Sequence, residues 1–79
     1  MMLTVEIGPL VDSKYSDVVE IYLDTEGLTE LQARLSLLRE KKTDHIHFMT
    51  ESWGLGDLSE NKQQEKNSLA HHLKIIRID

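Results

Sequence analysis

Between Thr25 and Lys42 the chain has one reading that its neighbours must accommodate. Leu28, Leu31, Leu35 and Leu38 recur at i, i+3, i+7 and i+10, and Leu37 widens the stripe. That spacing lines one face of an α-helix and leaves Glu30, Arg34, Arg39 and Glu40 on the others. Asp24 or Thr25 can cap the start, and Glu26 sits in the first turn, where the helix dipole favours an acid. Arg39, Lys41 and Lys42 crowd the other end, where it favours cations. A helix of this kind must bury its leucines against a second apolar surface.

The flanking segments supply that surface, because their apolar residues alternate with period two, the signature of strands with one buried face. Leu3, Val5 and Ile7 form a first strand, ended by Gly8-Pro9, and the turn-rich stretch from Gly8 to Ser16 reads as a loose connection. Asp17 to Asp24 is a second strand, with Val19, Ile21 and Leu23 inward and Val18, Glu20 and Tyr22 outward. After the helix, Thr43-Asp44 turns the chain into a strand from Asp44 to Thr50. Ile46 and Phe48 point inward there, and His45, His47 and Met49 point outward. The last strand, Ala70 to Ile78, is ambiguous: Leu73 and Ile75 fall on one face, Ile76 and Ile78 on the other. A bulge, or burial on both faces, would account for it.

These elements predict one domain over residues 1–79, of the α+β class. A four-stranded, mainly antiparallel sheet in ββαββ order would carry the helix on one face. The right-handed crossover rule allows the first and last strands to lie side by side in the middle, a β-grasp-like arrangement. The composition, 39% hydrophobic and 29% charged, is that of a globular and not a disordered chain. There is no cysteine, which excludes disulfides and thiolate metal sites and is compatible with a reducing cytosol. No apolar run approaches the ~20 residues of a membrane helix. Met1 to Glu6 lacks the basic region and apolar stretch of a secretory signal. A cytoplasmic location is expected, with no membrane partner.

The net charge of −5 argues against a nucleic-acid partner, since phosphate binding needs a basic footprint. It favours a protein partner with a basic surface, although acidity also serves solubility alone. An exposed sheet edge in so short a chain leaves a homodimer open.

The candidate site begins at the histidine strand. If the last strand pairs antiparallel with it, His71 or His72 could join His45 and His47, and inward Leu73 and Ile75 would place His72 on their outer face. Three imidazoles with a nearby acid could hold zinc, or serve as general acid and base in a small phosphodiesterase-like enzyme with Lys74 beside them. Neither a specific metal-ligand spacing nor a glycine-rich phosphate loop accompanies them. The reading is therefore no catalytic residue, no metal and no cofactor, with imidazoles that bond locally or touch a partner. The loop from Glu51 to Asn67 carries Trp53, Gly54 and Gly56, followed by a charged, solvated run from Glu60. Trp53 is either an interface anchor or a lid folded over the sheet. The candidate contact residues are Tyr22, His45, His47, Glu51, Trp53, Asp57, Glu60 and His72.

Several of these features occur together in a way that resembles a known family. They are Gly27-Leu28 opening the helix, the His45-Ile46-His47 strand, Trp53-Gly54 with Gly56, Leu58-Ser59, and Asn67 to Ile75 containing His72-Leu73-Lys74-Ile75. From Asp17 to Ile78 the chain resembles small bacterial immunity proteins of polymorphic toxin systems, specifically the immunity protein thirty-two family. The resemblance implies a cytosolic protein that binds and occludes a cognate toxin, without chemistry of its own. A generic protein-interaction module and the small histidine enzyme remain the alternatives.

Overall fold

The computed structural model describes residues 1–8 and 18–79. The expected loose connection after Gly8, and the expected start of the second strand at Asp17, lie outside the described residues. Within them the order is β1 (Leu3–Ile7), β2 (Val19–Leu23), α1 (Thr25–Arg39), β3 (His45–Met49), a 3-10 turn (Glu51–Trp53), β4 (Ser68–Ala70) and β5 (His72–Ile76). The class is α+β with one described helix, and every strand pairing is antiparallel. In place of one four-stranded sheet in ββαββ order there are two sheets: β2-β1-β4 and β3-β5.

The division falls at His71. Val5 pairs with Ala70 and Ile7 with Ser68, so the next rung of that ladder would join Leu3 to His72. Instead the Leu3 carbonyl accepts the Ser59 N–H (2.7 Å), and the His71 carbonyl accepts from Thr50 N–H (2.9 Å). Beyond that bend the chain pairs through its opposite edge with β3, Met49 facing His72 and His45 facing Ile76. The mixed pattern of the last strand now has a cause. Leu73 and Ile75 pack on the core, while Ile76 and Ile78 are 55% and 97% exposed. Neither a bulge nor burial on both faces is involved.

The core joins both sheets to the helix and the loop. Leu3, Val5, Leu38, Ile46, Phe48 and Leu58 are buried, with Leu23, Leu31, Ala70, Leu73 and Ile75 against them. The helix presents a face rotated from the expected one. Gly27 and Leu38 are buried, whereas Leu28, Leu35 and Leu37 are exposed. The closest approach sets this rotation: a Cβ on Gly27 would lie 2.2 Å from the Met2 carbonyl oxygen. Asp24 fastens the same corner, accepting from Gly27 N–H (2.7 Å) and Met2 N–H (2.9 Å). These two bonds, with that of Met2 first, hold its carboxyl below the usual aspartate range. Val19 and Ile21, expected beneath the helix, are exposed on the edge strand β2.

The opposite face of the three-stranded sheet is also covered. Thr4 and Glu6 are fully buried under residues 59–67, which wrap back over β1. Glu6 Oε2 accepts from Thr4 Oγ1 (2.7 Å) and Gln63 N–H (2.8 Å). Its Oε1 accepts from Asn67 Nδ2 (3.0 Å) and Gln64 N–H (3.3 Å). Burial alone would raise this carboxyl's pKa, but the donated hydrogen bonds outweigh it and hold the value below the ordinary range. The charged run is therefore anchored at its base.

Candidate functional site

The β3–β5 register places His45, His47, His72, Lys74 and Ile76 on the face turned away from the core. His45, His47 and His72 form a row, with ring centroids 5.9 Å and 5.5 Å apart in succession. His71 enters from the bend. Its ring stacks on Trp53 at 5.8 Å and 8°. Its Nδ1 lies 2.7 Å from Thr50 Oγ1 and 3.7 Å from Glu60 Oε1. Trp53 also reaches His72, at 6.4 Å. All four histidines and the one tryptophan of the chain thus form a single surface cluster. Within it, His72 Nε2 is buried with no hydrogen-bond partner among the described residues. At the far end His45 Nδ1 meets Asp44 Oδ1 at 2.7 Å, and this contact holds the Asp44 carboxyl below its usual range.

The loop that offers Trp53 is clamped where it leaves the sheet. Thr50 and Leu58 form a parallel bridge, and Leu58 N–H donates to the Met49 carbonyl (3.0 Å). Asp57 Oδ1 accepts Met49 N–H at 2.6 Å, and its Oδ2 accepts Arg34 Nη2 at 3.2 Å. Arg34 in turn donates to the His47 carbonyl (3.1 Å) and to Glu30 (3.0 Å), with its guanidinium 4.7 Å from the centre of the Phe48 ring. Gly54 and Gly56 take φ values of 132° and 81°, a region that side-chain-bearing residues rarely enter. They turn the chain sharply over this base. Trp53 and Leu55 are left 60% and 55% exposed.

The structure sorts the candidate residues into two groups. His45, His47, His72 and Trp53 are together, with exposed Glu51 in the same 3-10 turn as Trp53 and Glu60 beside His71. The indole lies on His71, outside the buried core. Asp57 does not belong with the surface groups: its side chain is 16% exposed and both oxygens are engaged by the clamp. Tyr22 is in the other sheet, paired with Thr4. Burial and then the Glu20 carboxylate raise its hydroxyl's pKa. It does not stand next to the histidines, because β2 and β3 belong to different sheets. Leu55 and Arg34 were not among the sequence candidates, and His71 was considered only as the alternative to His72. Leu55, apolar between two loop glycines, carried a readable signal; His71 and Arg34 depended on the bend and the clamp.

Among the described residues no group of three or more His, Cys, Asp or Glu side chains is placed to hold a metal ion. Of two hollows in the surface, one adjoins the far end of the cluster through Asp44 and is lined by Lys41, Thr43, Asp44, Arg77 and Asp79, and the other is lined by Gln32, Leu35, Ser36 and Arg39. No described helix is long and apolar enough to cross a membrane. No family model, no curated protein and no solved structure matches the chain.

Proposed function

We propose that this protein acts by binding another protein and covering its working surface, with the Trp53 loop and the histidine face as the contact. One observation carries the reading. Two large apolar side chains, Trp53 and Leu55, are held out in solvent on a loop whose base is fixed by Asp57, Arg34 and the Thr50–Leu58 bridge. A clamped loop has less freedom to lose on association, so more of the contact energy appears as affinity. Tryptophan is the side chain most enriched among residues that dominate binding energy.

The resemblance to immunity proteins supplies the kind of partner: a cognate bacterial toxin, blocked in the cytoplasm by occlusion, with no cofactor and no catalysis by this chain. The net charge of −5 favours a toxin with a basic surface. On this reading Glu51 and Glu60 steer the approach, while Trp53, Leu55, His45, His47 and His72 form the contact. The same reading treats β4 and β5 as one long strand bent at His71, so that the two sheets derive from a four-stranded β-grasp-like arrangement.

Co-expression with the cognate toxin tests the proposal. Trp53→Ala is expected to weaken binding by at least ~1–2 kcal/mol and reduce protection, with the melting midpoint little changed. A Trp53→Ala, Leu55→Ala double variant that binds and protects like the parent would sink the reading.

A further inference from the structure

The two-stranded sheet has two outer edges, and the molecule treats them differently. Rungs at Thr50–His71 and Asp44–Arg77 direct the even-numbered residues of β3 toward β5. His45, His47 and Met49 therefore turn their backbone groups outward, and nearby groups occupy all three carbonyls and the Met49 N–H. Thr43 Oγ1 donates to the His45 carbonyl (3.0 Å), Arg34 to that of His47 (3.1 Å), and Leu58 N–H to that of Met49 (3.0 Å). Asp57 takes the Met49 N–H at 2.6 Å. On β5 the outward groups belong to Lys74, Ile76 and, just beyond, Ile78. Among the described residues nothing hydrogen-bonds to their backbone N–H or carbonyl groups. Ile76 and Ile78 are at the same time 55% and 97% exposed. An open edge flanked by apolar side chains is a template for another strand.

We propose that this edge pairs with the same edge of a second copy, antiparallel, about a two-fold axis at Ile76. The register follows from the side chains. Centred on Ile76, it sets Ile76 against Ile76 of the second copy and Lys74 against its Ile78, so the lysine stem covers the isoleucine. The two Lys74 ammonium groups are then offset by four residues along the strands, about 13 Å, beyond the screening length at physiological salt. A register centred on Lys74 would instead set like charges directly opposite, which is destabilising. The capped β3 edge completes the argument. Pairing through β5 makes one sheet in the order β3-β5-β5-β3, and each end is then the edge already closed by Thr43, Arg34, Asp57 and Leu58. Association stops at two copies, as a closed two-fold assembly. It also sets both histidine rows on one continuous face. This inference does not depend on the identity of any other partner.

Sedimentation equilibrium of the full chain, from about 1 µM to about 1 mM, tests it, since an edge contact of this size falls in the weak class. The expected result is a monomer–dimer equilibrium with no larger species. The Lys74, Ile76 and Ile78 amides should exchange with solvent more slowly as the dimer fills. Ile76→Lys should weaken dimerisation at least tenfold. Ile78→Asp, at a position too exposed to affect folding, should weaken it as well, while Trp53→Ala should leave it unchanged. A monomer throughout that range overturns the proposal. So does a dimer unaffected by both β5 substitutions, or one in which those three amides stay unprotected.

Discussion

Glu6→Gln isolates the buried carboxylate that holds residues 59–67 over β1. The carboxylate accepts from Thr4, Gln63, Gln64 and Asn67. A glutamine has the same shape but offers one acceptor oxygen and places an NH2 group where the second oxygen was. If that NH2 takes the Oε2 position, the Thr4 hydroxyl can rotate to accept from it, but the Gln63 N–H is left facing a donor. In the reverse orientation Gln64 N–H and the Asn67 amide lose their acceptor. Either way at least one part-buried backbone donor loses its acceptor, at ~1–3 kcal/mol, and the surviving bonds lose the strength a charged acceptor gives them. The expected total is ~2–4 kcal/mol, a large share of the ~5–15 kcal/mol that stabilises ordinary domains. For a chain of this length the melting midpoint should fall by roughly 10–25 °C. Urea and thermal unfolding at neutral pH measure this, and hydrogen exchange at the Gln63 and Gln64 amides shows whether the segment loosens first. The pH dependence fixes the sign. The folded-state pKa of Glu6 is depressed, so its contribution is complete above the unfolded value, ~4.3, and is lost as pH falls through the folded value. The gap between parent and variant should therefore narrow in acid below about pH 4. A midpoint equal to the parent's, or a gap that stays constant into acid, would refute the reasoning.

The rotation of the helix separates two leucines that look equivalent in sequence. Leu38→Ala should cost ~2–5 kcal/mol, whereas exposed Leu35→Ala should stay within about 0.5 kcal/mol, both read from urea midpoints. Asp57→Ala removes the acceptor for Met49 N–H and Arg34, and should cost ~1–3 kcal/mol. It should also raise exchange across residues 51–57 and, on the proposed function, weaken toxin binding with Trp53 intact. Unchanged exchange there would show that the clamp is not what fixes the loop.

What the sequence made legible follows from periodicity. The helix, the inward Ile46 and Phe48, and the shared face of His45, His47 and His72 all derive from a spacing of 3.6 or 2, and all are present. What it hid depends on contacts between distant segments. Alternation marked Glu6 as outward-facing, because nothing near it in sequence indicates that residues 59–67 will cover that face. The leucine spacing allowed several rotations of the helix. The one adopted was selected by Gly27, whose missing side chain lets the helix approach Met2, a signal no hydrophobic pattern contains. The conflicting phases of Leu73–Ile75 and Ile76–Ile78 were visible, but their resolution needed the Leu3–Ser59 bond that diverts the last strand into a second sheet. Asp57 was misplaced for a similar reason: a loop acid reads as solvated until an arginine from the helix is found beside it.

The stacking of Trp53 on His71 also decides what an optical experiment on this protein will see. The chain has one tryptophan, and it lies outside the core. Its emission therefore reports the loop and the adjacent imidazole, with no contribution from a buried indole. Circular dichroism in the peptide region reports the helix and the two sheets. If residues 51–57 detach before the sheets melt, the fluorescence transition will precede the circular-dichroism one. Two non-coincident curves would then mark a local opening and should not be fitted as one all-or-none event.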